Sequence, residues 1–132
     1  MSGAILIVAD DRNSRDLFEY LLRGAGHFVV TAVNGADGLR AAKESVFDLV
    51  LCDLQMPVRD GYDFLKEIRA VPAFADVPVI AITAFSMLGA RERVLAAGFS
   101  GYFSKPVEPE TFLADIERFL PVHMRSSLGG SV

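Results

Sequence analysis

Acidic, hydroxyl and amine side chains follow several apolar segments of the sequence, each close to the point where the segment ends. They are Asp10 and Asp11, then Asp53, Thr83 and Lys105 in chain order. Two carboxylates about 4–5 Å apart repel each other by roughly 3–4 kcal/mol at an effective dielectric near 20, so a cation must accompany them. Lys105 supplies one positive charge, and Mg²⁺ fits a set of carboxylate, water and phosphate oxygens. Such a group can transfer a phosphoryl unit to a carboxylate, because that chemistry depends on positioning and charge neutralisation.

The apolar segments predict the strands that must position these groups. We expect strands over Ala4–Ala9, Phe28–Ala32, Asp48–Cys52, Val77–Ile82 and Gly101–Phe103. The first, third and fourth are nearly continuous in Val, Ile and Leu, which is typical of strands buried on both faces of a parallel sheet.

Segments of helical period alternate with these strands. Asn13 and Ser14 are candidate N-caps of the first helix, and the last helix is expected from about Pro109 to Leu120. Five β-α units in alternation predict an open α/β sheet with right-handed crossovers. Such sheets bind ligands outside the carboxyl ends of their strands, which is where the polar residues fall.

Composition narrows the class of protein. The chain has 132 residues, a formal net charge of −4 and one cysteine, Cys52, so we expect one domain without a disulfide in a reducing compartment. We assign residues 1–121 to the domain and 122–132 to a C-terminal tail or linker stub. The absence of a Lys/Arg cluster argues against nucleic-acid binding. No apolar run is long enough for membrane insertion and no basic leader is visible, so we expect a cytoplasmic location.

Four motifs carry a resemblance to a known family. ILIVADD, DLVLCDLQMPVRDGYDFL, PVIAITAFSM and GYFSKP resemble the receiver domains of bacterial two-component response regulators, over about residues 4–120. The similarity is strongest to single-domain regulators of the cell-cycle type and to receivers of hybrid histidine kinases. It implies a flavodoxin-like (βα)5 fold, a doubly wound parallel sheet with strand order 2-1-3-4-5. It also implies a phosphorelay switch, which promotes only its own phosphorylation and dephosphorylation and is not an enzyme.

The resemblance assigns roles around the phosphoacceptor. Asp53 would receive a phosphoryl group from a histidine of a kinase or a phosphotransfer protein. Asp10, the Asp53 carboxylate and the backbone carbonyl of Gln55 would bind Mg²⁺. Lys105 would pair with the phosphoryl oxygens, and Pro106 would be the cis-proline of the family.

The resemblance also implies how the phosphoryl group becomes a signal. Thr83 would be the switch hydroxyl and Tyr102 the switch aromatic, although Tyr102 could also be an ordinary core residue. The output surface would be formed by the fourth helix, the fifth strand and the fifth helix, where a downstream protein binds. The expected oligomeric state is a monomer or a weak dimer.

The sequence departs from the family pattern at the first pair of acids. Pairing Asp10 and Asp11 with the two usual acids requires a one-residue deletion before the Leu21-Leu22 pair, whereas the gap-free register places Ala9 and Asp10 there. We prefer the gap-free register, because a deletion would turn the first helix by about 100° and bury different residues. Asp10 is then the direct ligand, Asp11 reaches the metal through water, and Mg²⁺ binds more weakly than is usual in the family.

Other readings of the sequence remain open. The chain could be a receiver domain excised from a hybrid histidine kinase or a longer regulator. A haloacid-dehalogenase-like phosphatase also uses an aspartate nucleophile, but its DxD motif does not match Asp10-Asp11-Arg12. A flavodoxin-like cofactor binder needs a phosphate-cradling loop after the first strand, where acidic residues would instead repel phosphate.

Overall fold

Strands and helices alternate along the chain. The computed structural model describes residues 3–54, 61–84 and 89–125. The strands are β1 (Ala4–Val8), β2 (Phe28–Ala32), β3 (Leu49–Asp53), β4 (Val79–Thr83) and β5 (Gly101–Ser104). The helices are α1 (Arg12–Gly24), α2 (Gly35–Glu44), α3 (Gly61–Arg69), α4 (Ala90–Ala96) and α5 (Pro109–Glu117), with 3-10 turns at Pro72–Phe74 and Val122–Met124. Within the described ranges, none of the helices has the length and apolar character needed to cross a membrane.

The strands form one parallel sheet in the order β2-β1-β3-β4-β5. This confirms the predicted doubly wound sheet and its 2-1-3-4-5 order. The order reverses between β1 and β3, so the crevice at the carboxyl ends of these two strands is the expected ligand site.

Alternate residues of the central strands point to opposite faces of the sheet, and each face is covered by its own helices. On one face, strand residues such as Leu6 and Val50 pack with Phe64 and Ile68 of α3 and with side chains of α2 and α4. The other face packs against α1 and α5; its strand side chains are Ile5, Ile7, Leu49, Leu51, Ile80 and Ile82. The two apolar layers explain the near-continuous Val/Ile/Leu runs.

The boundaries of β3 differ from the prediction by one residue. Asp48 lies before the strand, where its Oδ2 accepts a hydrogen bond from the backbone N–H of Ala4 at 2.8 Å. Asp53 is the last residue of the strand and stands opposite Ile82 in the sheet register. The candidate phosphoacceptor is therefore held by the sheet itself, and not by a loop.

The N-cap of α1 is Asp11, and the prediction of Asn13 or Ser14 as the cap is wrong. Oδ2 of Asp11 accepts hydrogen bonds from the Ser14 backbone N–H at 3.2 Å and from the Ser14 hydroxyl at 2.7 Å. Because these bonds stabilise the carboxylate, the pKa of Asp11 lies below its ordinary value. The helix therefore begins at Arg12, earlier than either predicted cap allows.

A buried histidine links the N-terminal segment to α5. His27 and Glu117 are 4% and 2% exposed, and Nε2 of His27 lies 2.5 Å from Oε2 of Glu117. Nδ1 of His27 accepts the backbone N–H of Gly3 at 3.0 Å, so the ring proton is on Nε2 and is donated to the glutamate. The sequence alone gives no indication of a partner for His27.

The segment after α5 folds back onto that helix. The Arg125 guanidinium donates to the carbonyls of Leu120 at 3.1 Å and Arg118 at 3.2 Å, and Met124 packs against the apolar cluster beneath α5. These contacts attach residues 122–125, which the sequence analysis assigned to the tail, to the end of α5.

Candidate functional site

Backbone pairing brings the carboxyl ends of β3, β4 and β5 together. The N–H of Leu54 donates to the carbonyl of Ile82 at 3.0 Å, and the N–H of Lys105 donates to the carbonyl of Thr83 at 2.8 Å. The ladder therefore continues one residue beyond β3 and one residue beyond β5. It places Asp53, Thr83 and Lys105 at one edge of the sheet, as the sequence predicts.

The contact between Asp53 and Lys105 is the central feature of this edge. Nζ of Lys105 lies 2.7 Å from Oδ2 of Asp53, whose side chain is 2% exposed, whereas the lysine side chain is 20% exposed. A carboxylate so deeply buried is stable as an anion only beside a cation. The Lys105–Pro106 peptide is cis, which confirms the isomer implied by the resemblance.

Thr83 is the third member of the cluster. Its side chain is 2% exposed, and the residue is the last of β4, opposite Ser104 of β5. The hydroxyl group is therefore held at the same sheet edge as the Asp53 carboxylate, where it can meet a group attached to that carboxylate.

The residues after β1 separate into three different environments. Ala9 is 1% exposed, and its N–H donates to the carbonyl of Ala32 at 3.0 Å. Asp10 is exposed, and within the described ranges its carboxylate makes no hydrogen bond or ion pair. Asp11 is occupied in capping α1. Of the two acids, Asp10 is thus the one whose carboxylate is available for a ligand.

The donor set fits a magnesium ion better than a metal that is held by protein ligands alone. Among the described residues, no group of three or more His, Cys, Asp or Glu side chains is placed to hold a metal. Asp10 and Asp53 offer two carboxylates, and Mg²⁺ commonly uses one or two carboxylates together with waters and substrate phosphates. Gln55, the predicted carbonyl ligand, lies outside the described residues.

An arginine holds the loop between β1 and α1, and the sequence analysis gave it no role. Nη1 of Arg15 donates to the carbonyl of Ala9 at 2.8 Å and to the carbonyl of Asp10 at 3.1 Å. The spacing of six and five residues could not have identified this contact, because side-chain bonds to backbone carbonyls leave no pattern in the sequence.

A mostly apolar cavity of about 420 Å³ opens beside Lys105. It is lined by residues of α1 and of the segment after β5, among them Leu17, Phe18, Lys105 and Val107. The cavity therefore adjoins the residue that pairs with the Asp53 carboxylate.

Tyr102 of β5 lies between α4 and α5. The ring is partly buried against the cluster formed with α3 and α4, and it lines a cavity of about 360 Å³ together with Arg91, Glu108 and Asp115. Tyr102 thus connects the interior near the strand ends with the surface formed by α4, β5 and α5.

Comparisons with known proteins agree with this geometry. Residues 5–117 match the family described as the response regulator receiver domain. The chain is 33% identical over 120 residues to the polar-differentiation response regulator DivK of Brucella anthropi, covering 91% of this chain and 98% of DivK. It is 40% identical over 124 residues to the transcriptional regulatory protein ZraR of Salmonella typhimurium, covering 93% of this chain but only 27% of ZraR.

Solved structures give the same result. The chemotaxis protein CheY4 of Vibrio cholerae superposes with a TM-score of 0.85 at 30% identity, covering 91% of this chain and 100% of CheY4. The receiver domain of the sensor histidine kinase PA1611 of Pseudomonas aeruginosa superposes with a TM-score of 0.81 at 34% identity, covering 90% of this chain and 98% of that one. The PA1611 structure has a magnesium ion coordinated in its active-site cleft.

Proposed function

This chain belongs to the response regulator receiver domain family, and on that premise we propose that Asp53 is the phosphoacceptor of a two-component phosphorelay. The observation that carries the proposal is the buried Asp53 carboxylate, 2.7 Å from Nζ of Lys105 at the carboxyl edge of the sheet. The donor is a phosphorylated histidine of a histidine kinase or of a phosphotransfer protein.

The transfer uses few groups. A carboxylate oxygen of Asp53 attacks phosphorus in line with the bond to the donor histidine, and that P–N bond breaks as the P–O bond forms. Lys105 meets the charge on the phosphoryl oxygens. Asp10 and Asp53, with the backbone carbonyl of Gln55, would hold Mg²⁺, and the bound ion would neutralise further charge on the transferred group. The single β1 acid, Asp10, makes this site weaker for Mg²⁺ than a site with two acids.

The phosphoryl group changes the balance between two states of the domain. It adds roughly −1.5 to −2 charges and three strong acceptor oxygens. Thr83 and Lys105 bind these oxygens, and Tyr102 moves inward as the Thr83 hydroxyl moves. Two charge-assisted hydrogen bonds at about 1.5–3 kcal/mol each, together with the metal, are comparable with the about 5.5 kcal/mol that shifts a 1:99 equilibrium to 99:1.

The output is a protein contact on the surface formed by α4, β5 and α5. Tyr102 lines the cavity in this surface, and Arg91, Glu108 and Asp115 around it supply both signs of charge for a complementary protein partner. We propose that the domain acts as a monomer or weak dimer in the cytoplasm, without nucleic-acid binding, and that it has no turnover on other substrates.

Among the relatives, the matched region is either nearly the whole protein or one part of a longer protein. DivK is matched over 98% of its length, whereas the chain spans 27% of ZraR. A receiver domain that belongs to a hybrid histidine kinase or a longer regulator is therefore the alternative to a free-standing regulator. The chemistry at Asp53 is the same in both.

Acetyl phosphate tests the proposal directly. With Mg²⁺ present, intact-mass spectrometry should show the addition of one phosphoryl group, and Asp53→Asn should abolish the addition. Asp16→Asn, an exposed aspartate of α1, is the matched control and should be phosphorylated like the wild type. Persistent phosphorylation of Asp53→Asn would refute the assignment. Repeated turnover of a generic phosphomonoester would instead favour the phosphatase alternative.

A further inference from the structure

Within the described ranges, the Arg15 guanidinium donates to backbone carbonyls and not to an acidic side chain. The same nitrogen, Nη1, contacts the carbonyl oxygens of two successive residues, Ala9 at 2.8 Å and Asp10 at 3.1 Å. Within residues 3–54, 61–84 and 89–125, Arg15 forms no ion pair with a carboxylate. Hydrogen bonds from a charged donor are roughly twice as strong as those between neutral groups, so this contact is strong enough to restrict the loop.

The restricted segment is the one that presents Asp10. Its start is fixed because the N–H of Ala9 is bonded to Ala32 of β2, and its end is fixed because Asp11 caps α1. Between these points, the peptide that joins Ala9 to Asp10 and the carbonyl of Asp10 are held by Arg15. The direction of the Asp10 side chain therefore depends on Arg15.

We propose that Arg15 is a positioning residue that orients the carboxylate of Asp10 for Mg²⁺ binding. The inference rests on the proposed function, since it assigns Asp10 to the metal. Ala9 is buried and offers no carboxylate, so metal binding at this loop depends on Asp10. Because Asp11 is occupied in capping α1, no other carboxylate of the β1–α1 loop compensates if Asp10 is misaligned.

The charge of Arg15 and its positioning role should change the Mg²⁺ affinity in opposite directions, which makes the proposal testable. A guanidinium near a divalent cation repels it, so removing that charge alone should strengthen Mg²⁺ binding. Loss of orientation should weaken binding, roughly 10-fold if Arg15 behaves like the outer partners of metal ligands in general. The sign of the change therefore distinguishes the two effects.

Arg12 provides a matched control on the same helix. Its side chain is 83% exposed and its Nε lies 3.6 Å from Oδ2 of Asp16, and among the described residues its guanidinium donates no hydrogen bond to the loop. The experiment compares Arg15→Gln, Arg15→Lys and Arg12→Gln with the wild type. Mg²⁺ is titrated alone, without a phosphodonor, and binding is followed by the amide NMR shifts of Leu54 and Lys105. Circular dichroism checks that each variant is folded.

The expected result is weaker Mg²⁺ binding in Arg15→Gln, partial recovery in Arg15→Lys, and equal or slightly tighter binding in Arg12→Gln. In the Asp10→Ala background, Arg15→Gln should have no further effect, because the group that it orients is gone. Equal or tighter binding in Arg15→Gln, or an undiminished effect in the Asp10→Ala background, overturns the inference and leaves the proposed function intact. If Arg15→Gln does not fold, Arg15→Lys decides. Wild-type Mg²⁺ affinity in Arg15→Lys, with no dependence on the presence of Asp10, contradicts a positioning role. A wild-type chain that neither binds Mg²⁺ nor accepts a phosphoryl group refutes the proposed function as well.

Discussion

Nε2 of His27 lies 2.5 Å from Oε2 of Glu117, and the two buried side chains join parts of the chain that are 90 residues apart. His27 also accepts the N–H of Gly3 through Nδ1. One imidazole thus connects the N-terminal segment, the start of β2 and the end of α5. This connection lies at the amino ends of the strands, opposite the edge that holds Asp53, and we expect it to act on stability.

Replacing His27 should destabilise the fold. His27→Ala removes one hydrogen-bond partner from the buried Glu117 carboxylate and the imidazole acceptor from the buried N–H of Gly3, which we expect to reduce the free energy of unfolding by roughly 3 kcal/mol. Urea denaturation measures the loss. His123→Ala, at an exposed position, is the control and should change the value by less than about 0.5 kcal/mol. A His27→Ala variant as stable as this control would show that the pair is not structural.

Lys105 should control the rate of phosphoryl uptake. Lys105→Gln removes the cation 2.7 Å from Asp53, and the loss of one well-placed group that stabilises developing charge slows transfer by roughly 100-fold. Intact-mass time courses with acetyl phosphate give the rate. Lys66→Gln, an exposed lysine of α3, should react like the wild type. Equal rates of phosphoryl uptake in the two variants would show that Lys105 does not assist the transfer.

Thr83 should be needed for the conformational change but not for phosphorylation. Thr83→Val keeps the shape of the side chain and removes the hydroxyl, so Asp53 should still be phosphorylated. The NMR shift changes of Tyr102 and Phe103 on phosphorylation should fall by at least about half, because the bias toward the active state is lost. Thr31→Val, in the edge strand β2, is the control. Full shift changes in Thr83→Val would show that the response of Tyr102 does not depend on the Thr83 hydroxyl.

The general position of the site could be predicted from the sequence, since polar residues at strand ends interrupt long apolar runs. The open α/β fold and the convergence of Asp53, Thr83 and Lys105 follow from that pattern, and the strand order follows from the resemblance to receiver domains. The bonds from Arg15 to two carbonyls and the pairing of His27 with Glu117 could not be predicted. They depend on how α1 and α5 pack on the sheet, and neither local propensity nor periodicity encodes those distances.

Asp10 and Asp11 should have separable roles, which also tests the gap-free register. Asp10→Ala should weaken Mg²⁺ binding with little change in Tm, because Asp10 is exposed and its carboxylate has no partner among the described residues. Asp11→Ala should lower the Tm by a few degrees, because α1 loses its N-cap, while Mg²⁺ binding changes little. Mg²⁺ titration and thermal melts of both variants provide the measurements. A larger loss of Mg²⁺ affinity in Asp11→Ala would favour the register with a deletion.

The cap at Asp11 should make part of the stability depend on pH. Hydrogen bonds from Ser14 lower the pKa of Asp11 in the folded protein below its value in the unfolded chain. A depressed carboxyl pKa contributes stability above the unfolded value, and this contribution is lost as the pH falls through the folded value.

Asp11→Asn isolates this contribution, since asparagine caps a helix but does not titrate. The wild type should have a higher Tm than Asp11→Asn near neutral pH, where the charged cap also favours the helix N-terminus. The difference should shrink on acidification toward about pH 3, below the ordinary carboxyl pKa of about 3.9, because the carboxylate becomes protonated. Other acids titrate equally in both proteins and cancel in the comparison. A Tm difference that is constant over this range would contradict a charged, hydrogen-bonded cap at Asp11.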